Sequence, residues 1–264
     1  MNTPYEVIEH TVGMSIKKFK TPWLKLFILG ILAGIYIAMG GLLSSLSAAG
    51  LGGIGADNPF IPKLLAGATF PFGLMLVLLV GAELFTGNTA YLMPATVRGD
   101  IPRTYFLKNW ATVFIANFIG ALLFDYFLVY QTQVMAYPAY TEYITHAAEY
   151  KTSLAWHEVF LRGIGANWMV CLAVWLGFSS RSMLGRIVGI WWPVMAFVAI
   201  GFEHSVANMF YIPTGIFYGA NVSWSEFLLN NLIPSTLGNM IGGALLVGCL
   251  YAYLYSTVAQ PKTE

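Results

Sequence analysis

Charge is what this sequence has least of. Asp, Glu, Lys and Arg make up 9% of the 264 residues and apolar residues 58%, against roughly 25% charged in an ordinary soluble domain. A water-soluble globule is excluded by that balance. At about 20 residues per spanning helix the chain holds six or seven membrane crossings and no appended soluble domain. The net formal charge is +1, so the basic surface that nucleic acid requires is missing. The two cysteines, Cys171 and Cys249, lie far apart inside apolar runs and read as small hydrophobes, neither a disulfide nor a metal pair. His10, His146 and His157 lack ligand spacing. With no metal, nucleotide-phosphate or nucleophile constellation, no cofactor is expected and enzyme chemistry has no footing. The N-terminus has no short apolar core ending in a small-residue cleavage site, so no signal peptide is expected in it.

What is present is organised around Gly201–Met209, Gly-Phe-Glu-His-Ser-Val-Ala-Asn-Met. Glu203, His204 and Asn208 interrupt a run free of charge on both sides, and ionisable groups at membrane depth are functional-site candidates. Met1–Lys20 is polar and mildly amphipathic, and a first span covers about 22–49. After the Gly-rich loop 50–62 a second run, 64–82, ends at Glu83 and gives way to Leu84-Phe85-Thr86-Gly87-Asn88, a broken helix. A third span is expected at about 106–129, a polar stretch at 131–157, a fourth span at about 159–178 and a basic turn at 181–186. A fifth span starts at Ile187 and breaks at the central motif; a half-helix and loop lead to Asn231, and 227–261 contains the sixth span. The whole is a single domain over 1–264, with 1–21 as an N-terminal segment and 258–264 as a tail.

Lys and Arg set the orientation. With six spans, ten of the thirteen basic residues fall on the side of the termini, Lys262 among them, and only Lys63, Lys151 and Arg162 on the other. Both termini are therefore expected in the cytoplasm. Trp23, Tyr105 and Trp224 read as interfacial anchors, and Asp125 as an interface carboxylate near the end of the third span.

An internal repeat supports this layout. Gly81-Ala-Glu83-Leu-Phe-Thr-Gly-Asn88 aligns with Gly201-Phe-Glu203-His-Ser-Val-Ala-Asn208 at an offset of 120 residues, and Asn117-Phe-Ile-Gly120 resembles Asn239-Met-Ile-Gly242. Three spans per copy forces the second copy to face the other way, giving an inverted three-plus-three repeat. Each break starts a second half-helix near the bilayer midplane, so two partially positive N-termini point inward and favour an anion. Irregular backbone at that depth must line a cavity or lie buried in protein. Glu83 and Glu203, each just ahead of a half-helix, are expected to accept from its unsatisfied N–H groups, with Asn88 a further structural residue at its break.

Gly-Ala-Glu-Leu-Phe-Thr at 81–86, Ala-Asn-Trp-Met-Val-Cys-Leu-Ala-Val-Trp at 166–175 and Gly-Phe-Glu-His-Ser-Val-Ala-Asn-Met-Phe at 201–210 closely resemble the signatures of the formate/nitrite transporter family. The continuation Tyr-Ile-Pro-Thr-Gly-Ile looks most like its formate channels. The resemblance implies an all-α membrane protein of six helices, two of them broken, with an aquaporin-like architecture, assembled as a homopentamer in the plasma membrane. Neither Asn88 nor Asn208 begins the Asn-Pro-Ala of an aquaporin. Carried over residue by residue, the family's central histidine matches His204 and the hydroxyl facing it matches Thr86. Its apolar constrictions match Phe70, Leu74, Leu84 and Phe197, and its vestibule lysine matches Lys151, sixteen residues before Asn167. Phe85, Asn167 and Asn208 complete the expected substrate pathway.

The implied function is a channel or proton-coupled transporter for a small monovalent anion, formate first, with nitrite or hydrosulfide as alternatives. A non-transporting membrane anchor or regulatory subunit is the reading of another class; it would need neither a polar centre nor an inverted repeat.

Overall fold

A computed structural model describes residues 1–256; the expected tail at 258–264, Lys262 and the last residues assigned to the sixth span lie outside them. The described residues contain ten principal helices. They are α1 (Pro4–Lys20), α2 (Trp23–Ala49), α3 (Phe60–Gly81), α4 (Phe85–Arg98), α5 (Tyr105–Tyr130), α6 (Pro138–Ser153), α7 (Trp156–Ser179), α8 (Met183–Ile200), α9 (Ser205–Phe217) and α10 (Trp224–Tyr255). Six of these, α2, α3, α5, α7, α8 and α10, are long and apolar enough to cross a membrane. The protein is an all-helical, multi-pass membrane protein.

Both breaks fall where expected. Gly81 ends α3 at φ 99° and Gly201 ends α8 at φ 90°, a left-handed turn that only glycine makes without strain. The chain then runs non-helically through residues 82–84 and 202–204 before α4 and α9 begin. A π-helical turn at Leu76–Gly81 precedes the first break. Pro213 and Gly215 lie inside α9.

Two polar stretches are helical. At α1, Thr3 and Glu6 form a reciprocal cap with Pro4 in the first turn, and Val7, Ile8, Thr11, Val12, Ser15 and Lys18 form one buried stripe. Asn2 bonds to the carbonyls of Phe178 and Ser179, which holds α1 against the end of α7. Pro138 likewise opens α6, which buries Ile144, Ala148 and Thr152.

Packing repeats with the same ordering. α2 lies on α5 as α7 lies on α10, and both contacts depend on glycine: a Cβ at Gly120 would overlap the Ile31 carbonyl oxygen, and one at Gly242 the Ile164 carbonyl oxygen. Such close backbone approach is how helices associate in lipid, where the hydrophobic effect gives no drive.

Trp23 and Trp224 are exposed, but Tyr105 is buried among Phe19, Trp23 and Asn109. Asp125, expected at the interface, is fully buried instead, and neither carboxyl oxygen has a hydrogen-bond partner among the described residues. The turn that carries it packs on α9, which shields the carboxylate from the surface.

Candidate functional site

The site is built at the two breaks. α4 and α9 start with backbone N–H groups that no turn of helix satisfies. Asn117 of α5 accepts from Phe85 N at 2.9 Å while its amide donates to the carbonyls of Gly30 and Glu83. Asn239 of α10 does the same for Ser205 N at 2.8 Å, donating to the carbonyls of Gly163 and Glu203. The matching asparagines seen in the sequence are therefore the clamps that hold the breaks open.

Glu83 and Glu203 cap no helix N–H, contrary to expectation; a lysine and an asparagine amide take up each carboxylate instead. Lys18 Nζ lies 2.6 Å from both oxygens of Glu83, to which Asn88 donates at 2.8 Å, and Asn88 also donates to Asn109. Lys151 Nζ lies 2.9 Å from Glu203, to which Asn208 donates at 2.7 Å and Asn231 at 3.1 Å, and Asn208 also donates to Asn231. A Lys–Glu–Asn–Asn cluster thus forms at each break. Burying a carboxylate without such partners would cost several kcal/mol.

Each cluster forms one wall of a cavity. The first, of about 700 Å³, is lined by Lys63, Lys151, Arg162, Glu203 and Asn208 and ends against Phe70, Phe197 and His204. The second, of about 280 Å³, is lined by Lys17, Lys18, Lys25, Glu83 and Asn88 and ends against Leu74 and Leu84. Each has three cationic side chains and one carboxylate in its lining. The four expected constriction residues split two and two, all nearly fully buried.

His204 and Thr86 meet between these ends. His204 Nε2 is 3.0 Å from Thr86 Oγ1, and both side chains are buried. The ring stacks on Phe197 with 5.8 Å between centroids. Its Nδ1 accepts from Ala207 N at 3.0 Å, capping α9. With Nδ1 occupied as an acceptor, the neutral ring carries its hydrogen on Nε2 and donates to Thr86.

Among the other expected pathway residues, Asn167 donates to Thr86 O and Asn239 O and so ties the first turn of α4 to α10; it lines neither cavity. Phe85 turns away entirely, packing on Trp110 and Phe114. Cys171 and Cys249 are free thiols, and Cys171 lies 3.6 Å from Thr86 O.

The model of the formate/nitrite transporter family matches residues 5–253. The chain belongs to that family. Within it, the protein is similar to a probable formate transporter of Methanothermobacter thermautotrophicus, 44% identical over 96% of this chain and 97% of the relative. It is 38% identical to the formate channel FocA of Escherichia coli K12 over 88% and 87% of the two chains. Among solved structures, an FNT family ion channel aligns with TM-score 0.86 at 27% identity, covering 94% of this chain and 98% of that one. A structure described as a pentameric formate channel with formate bound aligns with TM-score 0.77 at 31% identity, covering 88% and 97%.

Sequence reasoning missed Lys18, Asn109, Asn231, Tyr91 and Tyr211 in this formate/nitrite transporter family member. The signals were present. Lys18 stands five residues before Trp23 as Lys151 stands five before Trp156, and each tyrosine follows its repeat asparagine by three.

Proposed function

We propose that the protein is a transmembrane channel for small monovalent anions, formate first, with proton transfer at His204. The observation that carries this reading is the pair of cation-lined cavities that end, behind apolar side chains, at the polar contact between His204 and Thr86. The lysines and Arg162 concentrate anions at either approach. The apolar residues between impose a large desolvation cost on a carboxylate and little on the neutral acid. Formate that takes a proton from the site crosses as formic acid, and solvent returns the proton to the histidine. The similarity to formate transporters supports formate over nitrite or hydrosulfide.

One observation favours a second mechanism. A second proton on His204 would go to Nδ1 and deprive Ala207 N–H of its acceptor. On this alternative the anion is protonated in the cavity, and neutral His204 only donates a hydrogen bond through Nε2.

The chain forms one domain, and the paired asparagine clamps support an inverted repeat of α1–α5 and α6–α10. Arg98 and Arg181 pair with Glu9 and Glu6 of α1, which supports the positively charged side as that of the N-terminus, hence cytoplasmic, with the first cavity outward. Similarity to a pentameric channel supports a homopentamer in the plasma membrane.

Swelling of proteoliposomes in an isotonic formate salt tests transport against the anchor reading, under which the trace matches empty liposomes. Uptake competition among formate, acetate, nitrite and hydrosulfide tests the substrate. Tenfold preference for nitrite or hydrosulfide overturns formate.

A further inference from the structure

Each lysine of the two clusters lies over a tyrosine. Lys151 Nζ is 5.5 Å from the centroid of the Tyr211 ring, and Lys18 Nζ is 5.2 Å from that of Tyr91. Both distances fall within the reach of a cation–π attraction. Tyr211 follows Asn208 by three residues and Tyr91 follows Asn88 by three, so each pair shares a helix face. That face serves both halves of the ion pair: the asparagine binds the carboxylate and the tyrosine ring meets the ammonium. Both rings are held in place. Tyr211 donates to Ser44 Oγ at 3.2 Å and lies parallel to Phe70, while Tyr91 is packed by Trp175 and Phe178. Each tyrosine also lines its cavity.

We infer that Tyr211 and Tyr91 are positioning residues for anion capture, holding Lys151 and Lys18 at the cavity walls through their ring faces. A lysine stem is long enough to carry its head out to water. The carboxylate and the ring attract the ammonium from two directions and keep it where a small anion must pass. An ammonium has three donors, and the donor not spent on the carboxylate faces that anion. This assignment rests on the anion-channel reading above.

The test is a fluorination series in the intact protein. Tyr211→Phe is followed by phenylalanines carrying one, two and three fluorines at position 211, which drain the negative ring face while keeping its shape. Formate uptake into proteoliposomes is measured across concentration, beside Lys151→Gln. With Tyr211→Phe, which lacks the hydroxyl bonded to Ser44, as the reference, we expect the half-saturating concentration to rise stepwise to about two- to fivefold above it with full fluorination. The maximal rate stays constant, and the dependence disappears in the Lys151→Gln background. A flat series, with Lys151→Gln raising half-saturation, overturns the role of Tyr211 and leaves the channel reading intact. A flat series with an inert Lys151→Gln overturns the lysine as well. Wild-type vesicles that do not take up formate overturn the underlying reading. Should position 211 not tolerate replacement, the same series at Tyr91, measured as efflux against Lys18, decides by the same criteria.

Discussion

His204 Nε2 and Thr86 Oγ1, 118 residues apart in sequence, are 3.0 Å apart in space. They are not equivalent in the repeat. The position matching His204 is Leu84, and the one matching Thr86 is Val206. The polar centre therefore arises where two otherwise similar halves differ.

His204→Asn separates the two proton mechanisms. Asparagine is a good N-cap and can still accept from Ala207 N, but it cannot titrate. If His204 supplies the proton, the variant assembles normally and formate flux loses its pH dependence. Wild-type flux with the wild-type pH profile would leave the cavity as the proton source. Fluorescence of a pH-sensitive dye trapped in proteoliposomes gives the measurement.

Lys18 is 7% exposed and is matched by a carboxylate that is 8% exposed. Lys18→Met should cost about 3–5 kcal/mol by leaving a buried charge unpaired. The double variant Lys18→Met, Glu83→Gln should recover most of that loss, because no uncompensated charge remains. Thermal unfolding in detergent across the four members of the cycle checks it. Additive losses would show that the pair is not coupled.

Gly120→Ala adds a methyl group where α5 meets the Ile31 carbonyl of α2. Since backbone cannot yield as a side-chain end does, about 1–3 kcal/mol of destabilisation is expected. Gly13→Ala is the control, because a Cβ there meets nothing within 4 Å. The difference should appear as lower thermal stability of the first variant alone.

His10, outside the spans, packs its ring against Phe178 with 4.8 Å between centroids. Burial first, and then the charge of Arg186, lowers its pKa below 6.5. An unfolded or undocked α1 therefore binds the proton more readily, and docking weakens as pH falls from about 6.5 through the lowered value. Amide hydrogen exchange in α1, corrected for its intrinsic pH dependence, should accelerate on acidification from about pH 7 to pH 5. His10→Phe should remove the acceleration.

The spans, both breaks and the central histidine were legible because hydropathy, an uncharged surround and a short repeat all bear on them. α1 and α6 were less so. Their apolar stripes are narrow and hold Thr11, Ser15 and Thr152, so a composition reading sees only polar chain. Lys18 looks no different from Lys17 and Lys20 unless the helical period from Val7 through Thr11 and Ser15 is followed. The Glu83 and Glu203 partners were misjudged for another reason. A carboxylate ahead of a helix suggests a cap, and only the fold brings Asn117 and Asn239 close enough to take that task. Phe85 entered the expected pathway through its place in a motif, whereas its side chain packs on the opposite face of the break.

The matched charges of the two cavity linings, each with three Lys or Arg side chains and one carboxylate, bear on rectification. An anion arriving from either face meets similar electrostatics before the same central step, so the passage has no charge asymmetry with which to act as a diode. Reversing a formate gradient should reverse the flux at nearly equal magnitude, and the cell's own production or consumption of the anion then sets which way it runs.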